Sequence, residues 1–269
     1  AELHCQSAFS LLDGASLPET LIQRASQLGY HSLALTDYTD LGGVVRFAQR
    51  AQELSFNAII GLQLSVEAFG QVSRLVLLAE NESGYRNLCR HVTSARLSQV
   101  RGLPYLSWSE FEPHTQGLIC LTGGFRGFLY RSLIKRDEIS SQRFLSSLKD
   151  VFGGRLVIEV THQGTPLDTD IARSAIHLAR KTNTRWVVSN DVRYAEPNHR
   201  CVYDTMKCLK SGTKLSESAG VLLHNAEWHL KTRDEHYRRW AEEPDGLRES
   251  INIAEQCRFR LGMLSVPLP

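Results

Sequence analysis

Six side chains of metal-binding type stand where short apolar runs begin or end. His4 lies in the run 2–5, and Asp13 follows it in Ser10-Leu-Leu-Asp-Gly14. Asp37 closes the run 32–36, Glu159 and His162 fall at the end of 156–160, and Asp191 closes 186–189 after Asn190. Imidazole and carboxylate together suit zinc, manganese or iron, and such ions activate water for phosphoester hydrolysis. In parallel α/β barrels the chemistry sits on the loops at the carboxyl ends of strands. A simpler reading competes. An aspartate just after a strand often caps the next helix by accepting orphan backbone N–H bonds. Glu159 with His162 reads more simply as a strand-end acid beside a surface histidine. On residue type alone both readings stand.

The elements that must position these groups alternate along the chain. The runs 2–5, 32–36, 58–60, 75–79, 118–121, 156–160 and 186–189 are short and apolar, as expected of strands buried on both faces. Between them lie helical periodicities: Leu21, Ile22, Ala25 and Leu28; Val44, Phe47, Ala48 and Ala51; Tyr85, Leu88, Cys89, Val92 and Ala95; Ile171, Ala172, Ala175, Ile176 and Ala179. Ser16 and Glu19 have capping-box spacing, with Pro18 in the first turn and Gly29 as the stop. Repeated strand-then-helix units predict an α/β fold with a mostly parallel sheet, and seven units fit a closed β/α barrel better than a small open sheet. The stretch 96–112 breaks the rhythm and reads as an insertion or long loop. Residues 1–196 are expected to form the barrel and residues 197–269 a mainly helical tail packed on it as part of the same unit.

Composition narrows the function classes. With 42% apolar and 22% charged residues in 269, the chain has the make-up of a globular protein. Its net charge of +2 gives no strong basic field, so tight autonomous nucleic-acid binding is not expected. The basic, aromatic segment Tyr237-Arg-Arg-Trp240 reads as a solvated helix face with Trp240 packed inward, not as a single-strand platform. Cys5, Cys89, Cys120, Cys201, Cys208 and Cys257 show no CxxC spacing and read as buried free thiols of a reducing compartment. No apolar run approaches a membrane span and no secretory signal opens the chain, so a cytoplasmic location is expected. The abrupt ends suggest a piece of something longer.

His4-Cys-Gln-Ser7, Phe9-Ser-Leu-Leu-Asp-Gly14, Thr36-Asp-Tyr-Thr-Asp40, Gly42-Gly-Val-Val-Arg-Phe47 and Ile60-Gly-Leu-Gln63 resemble, in order, the PHP (polymerase and histidinol phosphatase) domain of bacterial DNA polymerase III alpha-type subunits. So do Leu75-Val-Leu-Leu-Ala79, Gly84-Tyr-Arg-Asn-Leu88, Gly117-Leu-Ile-Cys-Leu-Thr-Gly-Gly124, Asn190-Asp-Val-Arg-Tyr194 and Ile253-Ala-Glu-Gln-Cys-Arg-Phe259. The resemblance covers nearly the whole chain. Its first motif and Leu88-Cys-Arg90 are closer to the error-prone alpha subunit than to the main replicase.

The resemblance implies a distorted seven-stranded β/α barrel holding three metal ions in intact members, some of which remove nucleotides from a DNA 3′ end. His4 matches the first histidine of the family's HxH motif, and Asp13 and Asp191 match two of its acids; Asp37 keeps the acid of the Thr-Asp pair. Gln6, Tyr38 and Arg193 replace histidines, Gln63 replaces a bridging glutamate, Arg74 stands where a histidine is common, and Gly124 where cysteine or histidine is common. Gln63 keeps the shape of glutamate without its charge. Arg193 brings a permanent cation that repels divalent metals and is expected to pair with Asp191 or Asp13.

Three functions follow. The first is a metal-free scaffold in a DNA-directed DNA polymerase of replication or translesion synthesis, with no cofactor. Its partners would be the remaining polymerase domains, replisome subunits and, through the parent, DNA. The second is a zinc- or manganese-dependent phosphoesterase or 3′–5′ proofreading exonuclease. The third is a free-standing protein-interaction domain. The chain alone is not expected to polymerise DNA: Asp168 and Asp170 read as the start of a helix.

Overall fold

The computed structural model describes residues 1–68, 70–97, 104–218 and 220–263. Its strands are β1 (Glu2–Cys5), β2 (Ser32–Leu35), β3 (Asn57–Ala68), β4 (Gln71–Ala79), β5 (Leu106–Ser107), β6 (Leu118–Leu121), β7 (Leu156–Val160) and β8 (Arg185–Val188). The helices are α1 (Pro18–Gln27), α2 (Val44–Glu53), α3 (Glu82–Leu97), α4 (Trp108–Phe111), α5 (Phe128–Ile134), α6 (Glu138–Phe152), α7 (Asp168–Lys181), α8 (Arg200–Ser211), α9 (Arg233–Arg239) and α10 (Asp245–Gln256).

Seven strands form one curled sheet in the order β1-β2-β3-β4-β6-β7-β8, and the short β5 pairs with β3. The expected seven-stranded α/β architecture is therefore present. One unit departs from the expected rhythm. β3 runs on to Ala68 and β4 starts at Gln71, too short a gap for a crossover helix, so β4 lies antiparallel to β3 and to β6. The remaining neighbours are parallel. The two edges meet beyond the end of β8. Val192 N–H donates to the His4 carbonyl (2.8 Å) and Gln6 N–H to the Val192 carbonyl (2.9 Å). That bridge pairs Cys5 with Val192 and draws the curl together.

Side chains two apart on a strand share a face, and this period builds the interior in layers. Leu3, Ala34, Ile59, Val76, Leu78, Ile119, Leu121, Val157 and Val187 pack together inside the curl, joined by Ile253 and Ala254 of α10 and by Cys257 just after it. The alternate residues, such as Leu33, Leu35, Ile60, Leu77, Cys120 and Ile158, face outward into the larger core under the helices. One step further along the inner face, the same columns turn polar. Val157 is followed by Glu159, and Ile59 by Gly61 and Gln63. Because β4 runs the other way, Val76 is preceded by Arg74.

Several local expectations are corrected. Ser16 does not cap α1, whose N-cap is Leu17 with no side-chain cap. Its hydroxyl instead accepts the Ala195 N–H (2.9 Å), and Glu19 pairs with Arg46 (2.5 Å). Gly29 ends α1 as expected, at φ +78°. Arg96 belongs to the last turn of α3, and residues 104–112 contain β5 and α4; the rest of the expected insertion, 98–103, lies outside the described residues. α5 and α6 fill the β6–β7 connection, where no helix was expected. Cys201 is exposed and Cys89 partly so, whereas the other four thiols are buried and none of the six is in a disulfide. Trp240 is buried.

Candidate functional site

The polar end of the curl begins with a loop. Asp13 N–H and Gly14 N–H both bond the Ser10 carbonyl, at 2.8 and 3.0 Å. A Cβ on Gly14 would lie 2.0 Å from the Ser7 carbonyl oxygen, so only glycine permits this turn. Asp37 ties the loop down. Its carboxylate accepts Ser7 N–H (2.7 Å), Ser7 Oγ (2.7 Å) and Ser10 Oγ (2.6 Å). Asp37 thus holds the loop that carries Asp13; its side chain does not reach the central cluster. Burial, relieved in part by Ser10 and Ser7, pushes its pKa up to about 6.

The centre is an ion-pair network. Arg193 is fully buried and grips Asp191 through Nη2 at 2.6 and 2.8 Å. Its Nη1 donates to Gln6 Oε1 and lies 3.6 Å from Asp13. Asp13 also receives Arg126 at 2.5 and 3.2 Å and Lys207 at 3.1 Å, with Arg74 at 3.5 Å. Burial favours the neutral acid, but Arg193, Arg126 and Lys207 outweigh it and hold the Asp13 carboxyl well below the usual range. Asp191 is lowered the same way, burial being overcome by Arg193 and His4. Asp191 also sits at φ +45°, a left-handed conformation that non-glycine residues seldom take.

Donor direction propagates from the guanidinium, which has no acceptor. Gln6 Oε1 must accept from Arg193, so Gln6 Nε2 donates to Gln63 Oε1 (2.6 Å), which also accepts from Arg74 (3.0 Å). The Gln63 amide nitrogen is left to meet His4 Nε2 at 2.9 Å. His4 Nδ1 then donates to Glu159 Oε1 at 2.7 Å, and Ser189 Oγ donates to the same oxygen. This chain of donors favours the Nδ1–H tautomer. Asp191 lies 3.1 Å from Nε2 and pulls toward imidazolium. Burial opposes charge on His4, but Asp191 and Glu159 prevail and raise its pKa. Behind His4, Glu2 accepts the His4 and Asn190 N–H groups at 2.9 and 3.0 Å, and burial pushes it up to about 7.

Placement of the expected site residues is therefore mixed. His4, Asp13, Asp191, Gln6, Gln63, Arg74 and Arg193 converge. Glu159 converges with them as a buried partner of His4, correcting its reading as a simple strand-end acid. Gly124 adjoins them: a Cβ there would meet the Glu159 carboxylate at 3.5 Å. Tyr38 turns away, its hydroxyl bonding Ser65 (2.9 Å) and the Pro104 carbonyl (3.2 Å) while Arg74 stacks on its ring at 4.1 Å. His162 lies apart, bonded to Thr169 at 3.1 Å and packed edge-on against Trp240. Asp168 starts α7 and accepts the Gln163 and Thr165 N–H groups. Arg126, Lys207 and Ser189 were not foreseen. Arg126 lies two residues past Gly124 and Ser189 directly after β8, which is a weak signal; Lys207 had none.

The donor set does not fit a multinuclear metal site. Three acids and one imidazole remain at the centre, but Asp13 and Asp191 are already paired with guanidinium and ammonium groups, and Glu159 accepts from His4 and Ser189. The neutral amides of Gln6 and Gln63 stand between them. Among the described residues no group of three or more His, Cys, Asp or Glu is disposed to hold an ion.

Comparison with known proteins supplies the family and the fold. The family model described as the PHP domain matches residues 2–163. The error-prone DNA polymerase of Mycobacterium bovis is 33% identical over the whole of this chain, and that of Anaeromyxobacter dehalogenans 35% identical over 97% of it. The chain spans only about a quarter of the length of these relatives, 26% and 22%. Among solved structures, an amidohydrolase from Chromobacterium violaceum with bound sulfate and no metal superposes with a TM-score of 0.52 at 17% identity, covering 72% of this chain and 87% of its own. A protein from Bifidobacterium adolescentis named as a metal-dependent phosphoesterase superposes equally well, at 16% identity over 71% and 86%. These two share the fold.

Proposed function

The chain belongs to the PHP domain family, and from that premise we propose that it is the PHP unit of an error-prone-type DNA polymerase, acting as a metal-free structural scaffold and not as a hydrolase. One observation carries the reading: the Arg193 guanidinium lies between Asp191 and Asp13, where a divalent cation would have to sit against it. Two like charges at such distances in a buried site cost far more than they do in water. Gln63 and Gln6 stand where the family's metal ligands include a glutamate and a histidine, so an anionic and a neutral ligand are both missing. The ion pairs supply internally the charge neutralisation that metal ions supply in a site of this chemistry, so the end of the sheet stays folded without them.

On this reading residues 1–196 form the barrel and residues 197–269 complete the same unit, α10 plugging the interior through Ile253 and Ala254. The partners are the other domains of a parent polymerase, which would contact DNA, and the compartment is the cytoplasm. Among the described residues no helix is long and apolar enough to cross a membrane.

The test is metal content. The chain is dialysed against manganese and zinc, desalted exhaustively and measured by elemental mass spectrometry. We expect no stoichiometric ion. Tight retention of either metal, with hydrolysis of a DNA 3′ end, would overturn the scaffold reading in favour of a phosphoesterase. Arg193→His alone should not restore binding, because Gln6, Tyr38 and Gln63 would still lack the required donors.

A further inference from the structure

Helix α8 is apolar on more sides than a surface helix should be. One face packs inward: Tyr203 and Cys208 are buried, and Lys207 reaches Asp13 at 3.1 Å. The helix therefore lies against the polar end of the barrel. The opposite face carries Val202, Met206 and Leu209, spaced i, i+4 and i+7 along one stripe. Val202 is 45% and Leu209 68% exposed, and Met206 is half-buried. A helix that is apolar all round belongs in an interior, yet one side of this helix is bare.

That side does not stand alone. Gly212, at φ +65°, ends α8, and three residues on Leu215 is 60% exposed. The loop 10–14 presents Leu11, 78% exposed, two residues before the Asp13 that Lys207 holds. Three stretches of chain thus place bare aliphatic side chains at one end of the barrel. Scattered exposed leucines need no explanation, but clustered ones mark an interaction surface. Lys210 and Lys214 flank the cluster, both exposed, and neither is in an ion pair among the described residues.

We infer that this face is where the remainder of the parent polymerase packs on the barrel, through an apolar surface rimmed by acids. The inference rests on the reading above, that this chain is one unit of a longer polymerase. Two observations choose the occupant. The relatives extend about three-quarters of their length beyond the part matched here. A body tethered to the barrel is the partner present at the highest effective concentration. The lysines speak against a second copy of this chain, because a two-fold contact would set the basic rim against itself, whereas an acidic rim pairs with it. Lys207 links the two faces of α8. Through it the ion-pair network that stands in for metals also fixes the position of the docking helix.

The experiment introduces Leu209→Cys into the 269-residue chain and into the full-length polymerase encoded by the same reading frame. Maleimide labelling of the peptide that carries residue 209 is followed by mass spectrometry, which separates it from the native thiols. We expect labelling to be roughly tenfold slower in the full-length protein, since a covered thiol is unreactive. Lys210→Glu with Lys214→Glu should speed that labelling in the full-length protein, and no change would refute the acidic rim. Val202→Asp with Leu209→Asp should leave the 269-residue chain melting within about 2 °C of the native value, as surface changes do. In the full-length protein the same pair should lower the temperature at which polymerase activity is lost. Equal labelling rates in the two proteins would overturn the inference. Slow labelling of the 269-residue chain that quickens on dilution would overturn the choice of occupant and give the face to a second copy. A reading frame that holds no polymerase sequence would overturn the parent reading itself.

Discussion

Asp37 and Asp191 look alike in the sequence and are opposites in the structure. Each follows a strand, each is fully buried, and each sits at the same polar end of the sheet. Asp37 is surrounded by neutral donors, two hydroxyls and a backbone N–H, and its pKa is pushed up to about 6. Asp191 meets a guanidinium and an imidazole, and its pKa is held down. Burial acts in the same direction on both. Hydrogen bonds to neutral groups offset it only in part, whereas a buried cation outweighs it. The first acid organises a loop and the second anchors a charge network.

The sharpest way to break this contrast is to remove the cation. Arg193→Met fills similar space without charge and strands Asp191 beside His4, and Asp13 loses one of four cations. Truncating one partner of a buried pair typically costs about 3–5 kcal/mol. Urea denaturation at neutral pH should show a loss of that order. An unchanged midpoint would mean that Arg193 does not hold the network together, and the scaffold reading would lose its main support.

The next effect separates the two acids by the sign of their pH dependence. A lowered carboxyl contributes stability above the unfolded value of about 4 and loses it as pH falls through the folded value. Asp13 and Asp191 are of this kind. A raised carboxyl does the reverse: the folded state keeps its proton, and stability declines as pH rises from about 4 toward the folded pKa. Asp37, at about 6, and Glu2, at about 7, are of this kind. Asp191→Asn should therefore lower stability at pH 7 and flatten the loss seen below about pH 4. Denaturation at stepped pH checks it. An acid limb as steep in the variant as in the native chain would show that the Asp191 charge is not what the network neutralises.

How far the sequence disclosed this site follows from what each residue signals on its own. Strand positions were legible because β1, β2, β6, β7 and β8 are short apolar runs. Gly14, Asp13 and Arg193 were legible through the family resemblance, and the pairing of Arg193 with Asp191 through charge alone. The antiparallel hairpin β3–β4 was missed although Gln63-Leu-Ser-Val-Glu67 alternates with the strand period of two. That alternation carries Gln63 to the polar end, and the reversal of β4 brings Arg74 there. Helix α6 left a readable trace, an Asp137 cap and the spacing Phe144, Leu145, Leu148 and Phe152, that went unused. Lys207 could not be foreseen at all. It reaches Asp13 from α8 across a sequence separation of 194 residues, and nothing near it in sequence distinguishes it from Lys210.

The smallest expected effect returns to Asp37. Asp37→Asn keeps the shape and removes the charge. The amide oxygen can still accept the Ser7 N–H, and a serine hydroxyl can rotate to accept from the new NH₂. The net change at pH 7 should stay within about 1 kcal/mol of either sign, the worth of one hydrogen bond. That is well below the Arg193→Met loss. The variant should also remove part of the decline in stability as pH rises from about 4 toward 6. Relative to the native chain it should therefore gain stability across that interval. A loss at pH 7 as large as that of Asp191→Asn would show that Asp37 carries an essential charge. It would then belong with the acids of the centre and not with the loop that positions Asp13.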